Sequence, residues 1–448
     1  MTLETAASWA DKTPDQKLEH RLRSWLNPPV SFVSPEAEEA YRSRVTRLAD
    51  AMLLQKTPDR VPAPLLVAEV YPAVWGGLTP YDAMYDFDRA SRAFVDFNLE
   101  FQPDAMVPPM IATQPGSVLD LLDYRLFSWP GHGIPREASL QYVEKEWMKA
   151  EEYDDFIADP ADYLMRRRIP RIFGALQGFS KLGYALDTGY LNFGYFAAWT
   201  QPEVLDSLAT LMAAGREAAA WLGKVGGVLQ QLQSLGFPPY YTLMCQAPFD
   251  LLADLLRGTK EMSLDLYRRP EKVLAACERL APLVVKWVLG NSTIDSPPCV
   301  FWPLHKGDDA HMSAEQFKEF YWPTLRKVAL SLIDEGFIPV FFGEGKLDTR
   351  LEVIAADLPV GRTVWLLDRT DMAHAKATLG KVAAIQGNVP LSLLQTGTPE
   401  QVREYCRKLI EVAAPGGGFL LDSGAALHQG NAANLHAMIR AASDFGTY

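Results

Sequence analysis

The chain has 448 residues, enough for one large domain or two of ordinary size. Hydrophobic residues make up 48% of it and charged residues 22%, which is typical of a soluble globular protein and excludes a disordered tail, a collagen-like repeat and a coiled-coil rod. The formal net charge is -12, so the surface repels a phosphate backbone and nucleic-acid binding is not expected. The basic run Arg166-Arg167-Arg168 with Arg171 is interpreted as a solvated face or a local anion contact.

The distribution of cysteine and of apolar residues bears on the compartment. The N-terminus lacks the basic and apolar regions of a signal peptide, and no window contains the roughly 20 apolar residues that span a membrane. We therefore expect a reduced protein in the cytoplasm, with no membrane partner. The four cysteines lie far apart without metal-type spacing: Cys245, Cys277, Cys299 and Cys406.

The first elements are an N-terminal arm and a helix. Residues 1–34 are polar and mixed, and we expect them to precede a single domain over residues 35–448. Ser34-Pro35-Glu36 predicts a helix start, because it offers a cap, a first-position proline and a first-turn carboxylate. This helix is expected to end before Pro58.

Eight short apolar runs follow, each bounded by glycine, proline or a polar residue, as in strands buried on both faces. Helical patterns separate most of them, including Ala314–Glu335, Glu344–Leu358 and Thr398–Ala414. This alternation predicts an α/β fold, a (β/α)8 TIM barrel; an open doubly wound sheet is the alternative, but no GxGxxG follows the first strand. The predicted strands are Pro64–Val70, Asp104–Pro108, about Tyr240–Cys245, Cys299–Leu304, Ile338–Phe342, Thr363–Leu367, Val382–Gln386 and Phe419–Leu421.

About residues 110–238 interrupt the regular spacing between the second and third predicted strands. This stretch contains helical patterns at Leu140–Phe156 and Pro202–Gly223, with Gly226-Gly227 after the second. We expect a helical insertion that lies over the mouth of the barrel.

Barrel enzymes carry their catalytic residues at the C-terminal ends of the strands. On this basis His305, Glu344 and Asp422 are the candidate catalytic residues, and the first two are the candidate ligands if a metal is bound. Their structural alternatives are a solvated loop, a helix N-cap carboxylate and a buried carboxylate bonded to backbone amides. The candidate substrate-binding residues are Glu69, Tyr71, Trp302, Asp308, Gln386, Asn388 and, in the insertion, His132.

Aromatic residues at the predicted strand ends and loops are candidate walls of a pocket for a planar ligand, with core filling as the alternative. They are Tyr71, Trp75, Trp129, Tyr240, Tyr241, Trp302, Trp322 and Trp365.

The second half of the chain resembles the uroporphyrinogen decarboxylase superfamily, well over residues 240–448 and loosely over 35–110. The resemblance implies a barrel with its site at the C-terminal mouth and a homodimer. Members include tetrapyrrole decarboxylases and methyltransferases that move methyl groups to or from corrinoid proteins. The motifs that carry the resemblance are Ala247–Asp250, Leu255–Gly258, Tyr267–Val273, Met312–Phe317, Tyr321–Pro323, Gln386–Pro390, Gly397–Val402 and Gly416–Phe419.

The sequence departs from the family pattern at the places where two known activities are encoded. Glu69–Gly76 contains no arginine, where the decarboxylases carry an arginine-rich loop that holds carboxylates. Val340–Gly345 and Ser423–Ala426 lack the His-x-Cys and the cysteine that bind zinc in the thiol-methylating members, so a zinc ion would need other ligands. No Asp-x-His-x-x-Gly corrinoid signature occurs, so a cobamide would be carried by a partner protein.

The resemblance therefore favours a cobamide-dependent methyltransferase. It would move a methyl group from a small methoxylated compound to a separate corrinoid protein. Aryl methyl ethers are the first expectation for that compound. One alternative is a decarboxylase or lyase acting on an aromatic or tetrapyrrole-like acid, with Arg369 as the carboxylate-binding residue. The other is a non-catalytic protein that binds a corrinoid or related planar ligand.

Overall fold

A parallel sheet forms the centre of the computed structural model, which describes residues 6–67, 70–109, 115–184, 193–241 and 243–448. Six neighbouring strands follow each other in chain order, β4 to β9, and every pair is parallel. Within the described residues the strands are β1 (Phe127–Pro130), β2 (Gly133–Ile134), β3 (Gln141–Tyr142), β4 (Leu243–Met244), β5 (Cys299–Leu304), β6 (Ile338–Gly343), β7 (Val364–Leu367), β8 (Ala384–Val389) and β9 (Phe419–Ser423).

Two extended segments, 61–67 and 104–107, close the sheet into a barrel. The Leu421 amide donates to the Pro62 carbonyl (2.9 Å), and the Asp104 amide donates to the Ala63 carbonyl (3.0 Å). The Met106 amide then donates to the Pro238 carbonyl (2.8 Å), which leads into β4. These segments coincide with the first two predicted strands, although they form single bonds and not regular ladders. The (β/α)8 barrel is confirmed.

Side chains alternate along each strand between the barrel interior and the layer beneath the outer helices, because successive residues of a strand point to opposite faces. On β5, Phe301 lies in the interior cluster, whereas Val300 and Trp302 lie in the outer one. The other interior residues include Ile338, Val340, Phe342, Val364, Leu366, Ala384 and Leu420, and the outer ones include Phe341, Trp365, Leu367, Ile385, Phe419 and Leu421.

The N-terminal helices cover the end of the barrel where the strands begin. Ser34 accepts a hydrogen bond from the Ala37 amide (3.2 Å) and caps Pro35–Leu53, as predicted. Met52 of this helix contacts Cys299 at the start of β5, and Trp25 donates to the Pro239 carbonyl (2.8 Å). The opposite end, where the strands finish, is left for the loops that carry the candidate site.

The stretch between the second and third barrel segments combines helices with a small sheet in the order β2–β1–β3. The predicted helix Leu140–Phe156 is wrong over most of its length, because Gln141–Tyr142 pairs with β1 and a helix begins only at Tyr153. The helix from Pro202 does not end at Gly223 but continues to Ser234, since one of its faces remains buried there through Val225, Val228 and Leu232. The division into an arm over residues 1–34 and a single domain over residues 35–448, with the insertion lying over the mouth, stays a prediction.

The predicted helix Glu344–Leu358 is confirmed only for its second half, Leu351–Asp357. The residues before it are held in a loop, because Leu347 donates from its amide to Thr370 Oγ1 (2.9 Å) and Thr349 binds Asp309 through its hydroxyl (2.8 Å). Glu344 is therefore not a cap of this helix.

The helices and helical turns make up the rest of the fold. None of the helices in the described ranges is long and apolar enough to cross a bilayer. The α-helices are Ala6–Ala10, Pro14–Leu26, Pro35–Leu53, Tyr71–Trp75, Pro80–Tyr85, Phe87–Phe101, Gly116–Leu122, Tyr153–Ala158, Pro160–Tyr163, Ile169–Ile172, Gly194–Ala197, Pro202–Ser234, Pro248–Leu252, Thr259–Arg268, Pro270–Gly290, Ala314–Gln316, Trp322–Asp334, Leu351–Asp357, Met372–Thr378, Leu391–Thr396, Pro399–Ala413 and Ala432–Phe445. The π-helical turns are Leu164–Arg168, Ala253–Arg257 and Phe317–Tyr321, and the 3-10 turns are Ala150–Glu152, Gly174–Lys181, Ala198–Thr200 and Leu379–Lys381.

Candidate functional site

The alternation of the strands directs a set of polar residues toward the barrel axis at the C-terminal end, here called the mouth. His305 continues the inward positions of β5, Glu344 those of β6 and Asp368 those of β7. The strand ends thus bring residues distant in sequence to one edge of the barrel, where barrel enzymes place their chemistry.

His305, Lys306, Asp254 and Glu344 form a connected group, which we call the mouth cluster. Nδ1 of His305 lies 2.5 Å from Oδ2 of Asp254, and Nε2 lies 3.6 Å from Oε1 of Glu344. The Lys306 ammonium lies 3.3 Å from the other oxygen of Asp254. The side chain of His305 is 29% exposed and that of Glu344 46% exposed, so both reach solvent at the mouth.

A buried carboxylate holds the loop that carries the histidine. Asp250 accepts hydrogen bonds from the amides of His305 (3.0 Å) and Lys306 (3.1 Å) and from the Tyr321 hydroxyl (2.7 Å). Asp250 and Asp254 are four residues apart on the helical segment after β4, so they share a face of it. One helical turn therefore fixes both the backbone and the ring of His305.

Glycine geometry shapes the turn that presents Glu344. Gly345 has a φ of +84°, a conformation that L side chains rarely adopt, and a Cβ there would lie 2.3 Å from Oδ2 of Asp308. Its amide donates to Oδ2 of Asp368 (3.0 Å). The turn is thus fixed on both sides, and Glu344 is held beside the histidine.

Burial and neighbouring charges shift the pKa values of residues in and beside the mouth cluster. Burial lowers the pKa of His305, but the hydrogen bond to Asp254 and the charges of Asp250 and Glu344 outweigh it and raise that pKa to about 9. Burial raises the pKa of Glu344, although the positive charge of His305 opposes the shift. Burial also raises the pKa of Asp250 to about 6. At neutral pH the imidazole is protonated, and the cluster holds a proton next to solvent.

A second group, the inner network, lies inside the barrel. Gln386 donates to Oδ2 of Asp422 (2.7 Å) and accepts from the Tyr240 hydroxyl (2.9 Å). Oδ1 of Asp422 accepts from the amides of Leu66 (2.8 Å) and Ser423 (2.7 Å). Burial raises the pKa of Asp422 to about 6, against the effect of these bonds. Asp422 thus has the contacts of the structural alternative, a buried carboxylate bonded to backbone amides.

Two of the predicted substrate-binding residues brace the loops around the mouth. Asp308 accepts from the amide (3.1 Å) and Nδ1 (2.5 Å) of His311, three residues later. The side-chain amide of Asn388 donates to the carbonyls of Asp368 (3.0 Å) and Thr370 (2.9 Å). Both are largely buried, and the protein engages Oδ1 of Asp308 and Nδ2 of Asn388.

Other predicted site residues lie apart from the mouth cluster. Trp302 is fully buried and faces the outer helices, so its position does not offer it to a ligand at the mouth. Tyr71 is buried and donates to the Gly430 carbonyl (3.2 Å). His132 stacks on Trp129 and contacts Asp120 (3.1 Å), within the stretch after the second barrel segment. Glu69 falls outside the described residues.

Most of the aromatic residues that were candidate walls of a pocket are core fillers. For Trp302 and Trp365 the reason is strand alternation, because an outward position on a barrel strand is covered by a helix. Trp322 is buried at the start of the helix Trp322–Asp334. Trp302, Trp322 and Trp365 pack in the outer cluster, and Tyr240 lies in the interior.

The sequence analysis missed Asp254, the residue with the closest contact to His305. The signal was present, because two aspartates four residues apart follow the third strand directly and such a pair lies on one helix face. Only the first of them stood out, as part of a family motif.

The donor set does not fit a zinc ion. The described part of the chain contains no group of three or more His, Cys, Asp or Glu side chains that could hold a metal. In the mouth cluster one ring nitrogen of His305 already faces Asp254, which leaves a single nitrogen and one carboxylate where tetrahedral zinc takes three or four protein ligands. The chemistry that these side chains support is proton transfer.

Comparisons with known proteins agree with the barrel fold. Residues 242–445 match the family model described as Uroporphyrinogen decarboxylase (URO-D). A methyltransferase from Methanosarcina mazei has a similar structure, with a TM-score of 0.58 and 14% sequence identity over 89% of this chain and 98% of that one. No curated protein sequence matches the chain. Residues 242–445, the range that matches this family model, supply β4 to β9 and the whole mouth cluster.

Proposed function

We propose that the protein is a methyltransferase that removes a methyl group from a small methoxylated compound and delivers it to a corrinoid carried by a separate protein. The observation that carries this proposal is the mouth cluster, which holds a histidine between two carboxylates at the solvent edge of the barrel, where their charges raise its pKa. The fold it shares with the Methanosarcina mazei methyltransferase supports the same reaction class. The homodimer implied by the family is part of this proposal.

The proposed reaction requires a proton donor at the mouth of the barrel. When the methyl–oxygen bond breaks, its electron pair stays on oxygen, and the departing alkoxide or phenoxide needs a proton. Nε2 of His305 is the ring nitrogen that faces the mouth, and Glu344 beside it has a raised pKa. His305 can donate this proton, and Glu344, 3.6 Å from its Nε2, can relay a proton to the ring.

The partner's corrinoid supplies the electron pair that accepts the methyl group. The part of this chain is to keep the methyl carbon in line between the leaving oxygen and that acceptor. The exposure of His305 and Glu344 supports this arrangement, because a bulky acceptor on another protein must approach the substrate from solvent.

Neither alternative has an observation that favours it more strongly. A lyase that acts on an aromatic acid needs an unpaired arginine at the mouth, whereas Arg369 is 72% exposed and lies 3.4 Å from the carboxylate of Asp368. A purely binding protein needs no protonated acid at its mouth. Both remain outcomes of the experiment.

The experiment mixes the purified protein with chemically reduced cobalamin and a methyl ether, and follows the formation of methylcobalamin by absorbance. The donors are 2-methoxyphenol, 4-methoxybenzoate and an aliphatic methyl ether. We expect turnover by the wild-type protein and a loss of about 100-fold or more in His305→Gln, because general acids contribute that much. His374→Gln is the matched control, since this exposed histidine pairs with Glu352 at 3.1 Å outside the mouth.

Three results would contradict the proposal. Full activity in His305→Gln would remove the mouth cluster from the reaction. Release of carbon dioxide from 4-methoxybenzoate without methyl transfer would identify a lyase. Saturable binding of cobalamin with no turnover of any donor, with or without an added corrinoid protein, would identify a binding protein.

A further inference from the structure

The basic run at residues 166–171 contains one arginine unlike the others. Arg166 pairs with Asp162 (2.5 Å), and Arg167 lies 3.4 Å and Arg171 2.6 Å from Glu152. Arg168 has no carboxylate within 4.0 Å among the described residues. Three of the four charges are therefore neutralised locally, and one is not.

Arg168 is held in place but leaves its terminal nitrogens available. Its Nε donates to the carbonyl of Leu255 (3.0 Å), which fixes the plane of the guanidinium. In the ranges that the structure describes, its two terminal nitrogens have no hydrogen-bond partner. Burial lowers the pKa of Arg168, because packing against the protein removes part of the hydration of its charge.

This arginine lines a cavity of about 390 Å³ that is otherwise almost entirely apolar. The cavity lies between the end of β4, the segment Pro248–Arg257 and the helix Pro270–Gly290. Besides Arg168, the polar side chain of Gln246 lines the cavity. Trp287 also lines it and lies at the protein surface, 46% exposed. Its apolar wall includes Met244, Leu251, Leu255, Leu280 and Val284.

We propose that this cavity binds an amphipathic carboxylate, whose hydrocarbon part fills the apolar wall and whose carboxylate pairs with Arg168. A planar guanidinium with two free nitrogens matches a carboxylate in bidentate geometry. The volume lies in the range of small-molecule sites, which are mostly apolar with a few polar groups that fix orientation. A ligand of this class supplies the missing counter-charge.

The cavity is separate from the mouth cluster, and the inference does not rest on the proposed function. No lining residue belongs to the cluster. The two sites nevertheless share one segment, because Leu255 lines the cavity and the neighbouring Asp254 contacts His305.

The test is isothermal titration of the full-length protein with two carboxylates of different source, decanoate for aliphatic acids and 4-propylbenzoate for aromatic ones. Decan-1-ol is the neutral comparison. We expect saturable one-to-one binding of at least one acid, a tenfold or greater loss of affinity in Arg168→Met, and a change below twofold in Arg167→Met. The acid that binds more tightly identifies the source.

A second variant keeps the arginine and fills the cavity. Leu283→Trp places a larger side chain in the lining, and we expect it to abolish binding of both acids. The inference is overturned if neither acid binds the wild-type protein, if Arg167→Met loses as much affinity as Arg168→Met, or if Leu283→Trp binds as the wild-type protein does. Thermal unfolding of each variant confirms that it is folded.

Discussion

Oδ2 of Asp254 lies 2.5 Å from Nδ1 of His305, and this contact decides which ring nitrogen faces the mouth. With Nδ1 committed to the carboxylate, Nε2 is directed toward Glu344 at 3.6 Å. Asp254 itself is 12% exposed and comes from a different barrel loop than the histidine. Asp254 is thus a positioning residue, which acts on the reaction through the ring it holds.

Asp254→Asn is expected to move the alkaline limb of the activity profile to lower pH. The hydrogen bond to Asp254 helps to hold the pKa of His305 at about 9, so without that charge the ring loses its proton closer to its ordinary pKa of 6.5. The pH dependence of methyl transfer measures the shift, and the proton NMR signals of the ring give the pKa directly. Asp295→Asn, which removes the surface partner of His20 (2.8 Å), is the control. An unchanged limb in Asp254→Asn would contradict the role given to this carboxylate.

Glu344→Gln is expected to abolish demethylation while the fold stays intact. The amide keeps the size of the side chain but cannot hold or donate the proton that the leaving oxygen needs. Glu352→Gln is the matched control, because that glutamate also pairs with a histidine but on the outer surface. Activity is measured with reduced cobalamin and the unfolding temperature by calorimetry. Wild-type turnover in Glu344→Gln would exclude this residue from the mechanism.

The sequence predicted the barrel well because buried parallel strands are continuous apolar runs with sharp ends. The same strand ends located His305 and Glu344, since the residue after a parallel strand lies at the mouth. The contact between Asp254 and His305 could not be predicted in this way. It joins residues 51 positions apart, and it depends on how one helical turn packs beside the next strand.

The prediction for Trp302 shows that residue type and position near a strand end do not determine which face of the strand a side chain occupies. A tryptophan near a strand end can face the axis or the helices, and only the register of the strand distinguishes them. Trp302 has the opposite alternation to His305, so it packs against Phe341 in the outer layer. Similarly, the continuation of a helix through Gly226-Gly227 follows from burial of its other face, which local propensity does not contain.

Trp302→Ala is therefore expected to destabilise the protein by about 3–5 kcal/mol, the usual cost of truncating a fully buried large side chain. The conservative variant Trp302→Phe should keep the KM for the methyl donor unchanged, because the ring does not reach the mouth. Trp287→Ala, at a tryptophan that is 46% exposed, should cost far less stability. Urea unfolding measures the first effect and steady-state kinetics the second. A raised KM in Trp302→Phe would return this residue to the substrate site.

The buried carboxylate of Asp422 gives the last prediction, a dependence of stability on pH. Burial raises its pKa in the folded protein to about 6 from an ordinary value of 3.8, so between these values the folded state binds more protons than the unfolded state. The free energy of unfolding must then fall as the pH rises through this interval. Asp422→Asn removes the titration but keeps an oxygen for the amides of Leu66 and Ser423.

We therefore expect the difference in stability between Asp422→Asn and the wild-type protein to shift in favour of the variant as the pH rises from about 4 to about 6, and to stay constant above that. Urea unfolding at intervals across this range measures it. Asp444→Asn, at an exposed aspartate paired with Arg403 (3.2 Å), is the control for the same replacement at the protein surface. Parallel curves for the Asp422 variant and the wild-type protein would mean that the inner network holds this carboxylate ionised, and that its bonds to the backbone outweigh the cost of burial.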